Sequence, residues 1–216
     1  MSAIAPSDPR RTRKARRAQR TQLQLQGIGL LAGIIALMWI VEGINAVDSY
    51  HLDGDGIYAR NFGRLWGIFT APFIHANFAP HLLDNTIPLV FMGLIIALRG
   101  ATRLARVTVV VIVAGGLGTW LIGPSGASTI GASGVVFGYA TYLLTRGVFD
   151  RSLLELLTGL IVGAVWGGAL LSSLVPHTGV SWQGHLSGAL AGVLAAYLLR
   201  RERRAKAAQA PQALPS

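Results

Sequence analysis

The sequence predicts an all-α, polytopic membrane protein that crosses the bilayer six times, with both termini in the cytoplasm. Three observations carry this prediction. Of 216 residues, 52% are hydrophobic and only 13% are charged, too apolar for an ordinary soluble domain. Apolar runs lie at 28–47, 82–98, 107–122, 133–145, 153–175 and 183–199, most of them long enough for a helical span. An even number of spans puts both termini on one side. On that side fall all 19 basic residues except Arg60 and Arg64: the N-terminal arm, the tail from Arg200 to Lys206, and Arg99, Arg103, Arg106, Arg146 and Arg151 in the connections. The positive-inside rule makes that side cytoplasmic.

The same patterning removes several functions. The chain has no cysteine, so thiolate metal sites, disulfides and cysteine catalysis are excluded and any nucleophile is an oxygen. A net charge of +10 could point to nucleic acid, but topology already accounts for the basic tails and they lack interleaved aromatics. No nucleic-acid partner is expected; the partner of the chain as a whole is the lipid bilayer, and the tails read as setting orientation rather than binding anionic lipid or RNA. The first span is longer than a signal's apolar region and no A-x-A-like site follows it, so it reads as a retained helix. Arginine far exceeds lysine, which fits a GC-rich genome and a bacterial cell (inner) membrane.

Taken in order, residues 1–26 form a basic arm expected to be disordered, 27–199 the membrane domain, and 200–216 a basic tail. Glu42 lies near the outer end of span one, where a carboxylate is expected to be hydrated or hydrogen-bonded. Residues 48–80 form an outer loop too long for a plain connection, and its aromatics fit a folded or membrane-dipping segment. Within it, Asp53-Gly54-Asp55-Gly56 lacks the further ligands of a calcium loop and reads as a solvated turn. Pro80 suits the first turn of span two, from which His81 and Asn85, four residues apart, share a helix face. Two polar side chains on one face of an apolar helix point into protein or water. Asp84 lies beside that face. No three ligands assemble on suitable spacing, so no metal and no cofactor is expected.

Span three is apolar and ends in the breaker-rich loop Gly123–Ile130, which leads into Gly131-Ala132-Ser133-Gly134. Gly131 permits backbone angles closed to other residues, and a helix N-terminus at Ser133 offers free N–H groups to an anion. The tetrapeptide also suits two helices in contact. The apolar run from Ser133 covers 133–145, short of the ~20 residues a bilayer requires. This helix therefore starts within the membrane thickness, and a loop at that depth implies a wet pocket opening outward. His177 lies in the outer loop after span five and reads as solvated. Span six carries His185 about one turn in, with glycines at 184, 188 and 192 that match Gly134 and Gly138 of span four. Packing these small-xxx-small ladders together sets His185 level with Ser133. A histidine at that depth is a candidate general base, and a packed hydrogen-bonding group otherwise.

These residues together resemble the rhomboid intramembrane serine proteases. The resemblance rests on Gly131-Ala132-Ser133-Gly134, on His185-x-x-Gly188-x-x-x-Gly192, on His81-x-x-x-Asn85, and on their order across residues 28–199. It implies a six-helix rhomboid-like bundle and a Ser133/His185 catalytic dyad. It also implies an oxyanion hole of the His81 and Asn85 side chains with the Ser133 N–H. Phe137 would occupy the place of an aromatic packed on the catalytic imidazole, and Gly131, Gly134, Gly188 and Gly192 would support the packing. The implied activity is endopeptidase cleavage in or near the transmembrane segment of single-span membrane proteins. Three features depart from the family pattern. Five residues rather than four separate His75 from His81, Arg64-Leu65-Trp66 stands in for a Trp-Arg pair, and Gly184 replaces an alanine. None removes a catalytic atom.

Two other readings compete. A non-catalytic rhomboid-like scaffold would bind transmembrane clients without cutting them, but such relatives characteristically lack the serine or the histidine. A small transporter or channel would also carry intramembrane polar residues, but it predicts internal repeats and the sequence has none.

Overall fold

The computed structural model describes residues 9–177 and 179–208, and these form an all-helical bundle. Six long rods compose it: α1 (Pro9–Val47), α3 (Leu83–Ala97), α4 (Ala101–Val110) continued by α5 (Gly116–Ile122), α6 (Ser133–Asp150), α7 (Leu153–Ser172) and α8 (Trp182–Ala208). The short α2 (Gly67–Thr70) lies in the outer loop, and a π-helical turn, Val111–Gly115, joins α4 to α5. Arg13–Val47, Ala101–Ile122 and Leu153–Ser172 are long and apolar enough to cross a membrane, and Leu83–Ala97 is a shorter apolar helix. The outward face of α7 leaves Leu153, Leu154, Leu157, Leu160, Ile161 and Val165 exposed, a surface suited to lipid rather than water.

Four boundaries differ from the sequence expectation. The arm expected to be disordered through residue 26 is helical from Pro9. Its Arg, Lys, Gln and Ala residues are good helix formers, and an apolar helix already nucleated beyond them extends cheaply. Residues 1–8 and 209–216 of the two tails lie outside the described residues. Span three starts at Ala101 rather than 107, and α6 runs to Asp150 rather than 145. In α6 the extension buries Arg146, paired with Asp150 at 3.4 Å and with Glu155 of α7 at 3.3 Å. Arg99 pairs with the same Glu155. At span two, Pro80 does not open a regular helix. Ala79, the residue before it, is extended at φ −135°, ψ 131°, as a following proline favours. A π-helical turn, Phe78–Leu82, therefore precedes α3.

The core sits around α6, whose Val135, Val136, Tyr139, Ala140, Tyr142 and Leu143 are buried. Against one side of it α8 lies unusually close. A Cβ on Gly188 would fall 2.1 Å from the Gly134 carbonyl oxygen, and one on Gly192 2.0 Å from that of Gly138, so only glycine allows this separation. The outer loop is folded, with Ile57, Ile68 and Ala71 forming a small cluster of their own. Its Asp53-Gly54-Asp55-Gly56 turn is tied down rather than merely solvated: Arg64 Nη2 donates to Gly54 O at 2.7 Å, and Asn45 Nδ2 to Asp53 Oδ1 at 2.9 Å.

Candidate active site

Ser133 is the first residue of α6, and the turn before it uses its amides one by one. Gly131 stands at φ +107°, in the region that favours glycine, and its N–H donates to Ala71 O at 2.8 Å. The N–H of Ala132 donates to His75 Nε2 at 3.2 Å. Beyond the turn, the N–H groups of Val135 and Val136 donate to Ala132 O at 2.8 and 3.0 Å. The Ser133 N–H falls between these two sets, among the first-turn donors for which a helix has no internal acceptor.

His185 lies in the first turn of α8 and is buried, at 6% exposure. Its ring stacks on Phe137 with centroids 4.4 Å apart and planes at 8°. Its Nδ1 lies 2.8 Å from Ser173 O at the end of α7. A carbonyl only accepts, so Nδ1 carries the proton and the neutral ring keeps its lone pair on Nε2. A backbone carbonyl thus fixes the tautomer, where a triad enzyme uses a carboxylate.

Ser133 and His185 line one cavity of about 510 Å³ together with His81, Asn85, Asp84 and His75. Its volume is that of a small-ligand site. His81 lies in the π-helical turn, with Nδ1 3.0 Å from Asn77 Oδ1; that oxygen also accepts the His81 N–H at 3.2 Å. The neutral His81 ring therefore offers a lone pair at Nε2, and only the protonated ring offers a proton there. Asn85 Nδ2 donates to His81 O at 2.9 Å, which leaves one amide proton for a ligand. His177, by contrast, is exposed and does not line this cavity.

Sequence reasoning left His75 without a role. It is 1% exposed, and the structure sets it between α1 and the turn before Ser133. The His75 N–H donates to Glu42 Oε2 at 3.2 Å, His75 O accepts from Asn45 Nδ2 at 3.2 Å, and Nε2 accepts from Ala132. Glu42 and Asn45 are both fully buried. A polar pair spaced i, i+3 on an apolar helix needs a partner, and this was the one local sign that the outer loop folds back onto α1. Burial pushes the His75 imidazole down to about 4, so the ring is neutral at pH 7 and free to accept from Ala132.

This gives a pH-dependent stability with a definite sign. The unfolded ring takes up its proton near 6.5 and the folded ring only near 4. The contribution is complete above pH 6.5 and shrinks as pH falls to 4, over which span it amounts to about 3 kcal/mol. The thermal midpoint in detergent is expected to drop across that window in wild type, and the drop to be smaller in His75→Gln. Parallel curves for the two proteins would remove His75 from this account.

Comparison with known proteins follows the same lines. The model of the Rhomboid domain matches residues 63–202, a stretch that contains every residue of the cavity described above. An uncharacterized Mycobacterium tuberculosis protein is 43% identical over 211 residues, covering 94% of this chain and 87% of its own length. A Mycobacterium leprae protein, also uncharacterized, is 42% identical over 195 residues, covering 86% of this chain and 76% of its own length. The chloroplastic rhomboid-like protein 11 of Arabidopsis thaliana is 32% identical over 180 residues, covering 74% of this chain and 59% of its own length. With a domain match spanning most of an apolar, all-helical chain, this integral membrane protein belongs to the Rhomboid family.

Proposed function

We propose that the protein is an intramembrane serine endopeptidase that cuts single-span membrane proteins in or near their transmembrane segment. In this reading six helices span a bacterial cell membrane and both termini are cytoplasmic. The observation that carries it is the convergence of Ser133, His185, Asn85 and His81 on one cavity at the N-terminus of α6. Membership of the Rhomboid family supports it.

The chemistry follows from the hydrogen bonds. With its Nδ1 proton held by Ser173 O, His185 takes the Ser133 hydroxyl proton on Nε2 as Oγ attacks the peptide carbonyl carbon. The oxyanion is met by the Ser133 N–H, the remaining Asn85 amide proton and, when protonated, His81. Collapse breaks the C–N bond, and His185 returns its proton to the leaving amine. Water entering the cavity then repeats the sequence and releases the acyl group from Ser133. A stable helix hides its carbonyls, so the favoured substrates are those whose helix unwinds readily near the cut. Asn85→Ala is expected to lower kcat about 10²- to 10³-fold with little change in KM, since it removes a donor used mainly in the transition state. An equal rise in KM with kcat intact would assign Asn85 to binding instead.

The direct test is to incubate the purified protein in detergent with a single-span reporter and a serine-reactive fluorophosphonate. Cleavage with a new N-terminus inside or beside the span, and labelling that Ser133→Ala abolishes, are expected. Reporter binding with no product and no labelling would favour a scaffold that holds transmembrane clients.

A further inference from the structure

Besides apolar side chains such as Ile130 and Val180, the cavity around Ser133 is lined by hydroxyls, imidazoles, amides and backbone, with one exception. Asp84 is the only Asp, Glu, Lys or Arg among the described residues that line it. It sits in the first turn of α3, next to Asn85 and three residues after His81, and it is exposed. Among the described residues none pairs or hydrogen-bonds with it. An unpaired carboxylate on an apolar helix is costly against hydrocarbon and tolerable where it faces water, which the cavity provides. A carboxylate in a first turn also complements the helix dipole, but that contribution is indifferent to what enters the cavity.

We infer that Asp84 is a specificity-determining residue: it selects substrates with a lysine or arginine close to the scissile bond and disfavours those with an aspartate or glutamate there. This rests on the protease reading and names the substrate class for that same site. The physical ground is distance and the lack of compensation. A cavity of about 510 Å³ is on the order of 10 Å across, close to a Debye length at physiological salt, so any substrate charge inside it interacts with Asp84. No lysine or arginine among the described lining residues cancels that field, and the lining histidines oppose it only while protonated. The selection is also discriminating. If the cavity opens outward, the relevant charges lie at the outer end of a substrate span, where the positive-inside rule makes basic residues scarce. Most single-span proteins would present no attractive charge, and the few with an outer lysine or arginine would be favoured.

The test uses three reporters that differ only in a lysine, a glutamine or a glutamate a few residues outside the cut. It compares wild type, Asp84→Asn and Asp84→Lys. Cleavage is read as kcat/KM, and in parallel Kd is measured on the same proteins carrying Ser133→Ala. In wild type the lysine reporter is expected to exceed the glutamate reporter about tenfold, with the ratio falling toward unity in ~1 M salt. Asp84→Asn should flatten the ratio and Asp84→Lys should invert it. Because each ratio is internal to one protein, a loss of folded fraction leaves it unchanged, and Asp84→Asn tests the idea if Asp84→Lys misfolds. Equal ratios in wild type and Asp84→Asn would overturn the inference while leaving the protease reading intact. Charge-dependent Kd values without cleavage would overturn the protease reading and keep Asp84 as a selector of clients. Reporters neither cut nor bound would overturn both.

Discussion

Ser133→Ala and His185→Ala should each take reporter cleavage to background, a loss of roughly 10⁴-fold or more, and the double variant should lose no more than either alone. The size follows from what each atom does in the proposed reaction. Without Ser133 Oγ no acyl intermediate forms, and without His185 Nε2 the hydroxyl proton has no acceptor. Groups that act as one unit lose their effect together, so their penalties do not add. His185 also packs on Phe137 and ties α8 to α7 through Ser173 O, so His185→Ala is expected to lower the thermal midpoint as well. His185→Gln separates the two roles: it keeps a planar polar group near Ser173 O but cannot accept and return a proton in the required cycle. A variant as inactive as alanine yet nearer wild type in stability would fit a base. Activity that tracked the melting temperature, with additive losses in the double variant, would mean that the pair only supports the fold.

What the sequence made legible was what depends on local spacing. Apolar runs marked the rods because a helix against lipid must be apolar over its length. The glycines at 184, 188 and 192 foretold a close neighbour, since a helix without Cβ atoms on one face invites another backbone. The placement of Ser133 and His185 on one cavity is consistent with that contact. The ends of the helices were less legible. Hydropathy treats an arginine as a boundary, whereas Arg146 is held inside by Asp150 and Glu155, a compensation that needs a second helix. His75 was least legible. Its role depends on Glu42 and Ala132, which lie 33 and 57 residues away, and no periodicity connects them. Asp84 is visible in the sequence beside the His81–Asn85 face, but its isolation is a property of the whole cavity lining.

A large stability effect is expected at Gly188. An added Cβ would meet the Gly134 carbonyl oxygen at 2.1 Å, its carbonyl carbon at 2.8 Å and its Cα at 2.9 Å. All three are backbone, so no rotamer change relieves the clash and α8 must move away from α6. Alanine's better helix propensity is worth only about 1 kcal/mol. The overpacking costs about 3 kcal/mol or more, so Gly188→Ala should be strongly destabilised. Two other glycines set the scale. Gly134→Ala meets Gly184 O at 3.3 Å, a contact that a small shift relieves, and should be mild. Gly33→Ala, with nothing within 4 Å, should be neutral or slightly stabilising and controls for propensity. Thermal denaturation in detergent ranks the three, and a Gly188→Ala protein that melted with Gly33→Ala would show that the helix separation tolerates a side chain. The ranking also bears on catalysis. Gly188 lies one turn beyond His185, so a displaced α8 carries this proposed base away from Ser133. In whatever Gly188→Ala protein still folds, cleavage should fall further than the loss of folded fraction explains. Gly192→Ala, which meets Gly138 O at 2.0 Å another turn away, should be as unstable but retain more activity per folded molecule.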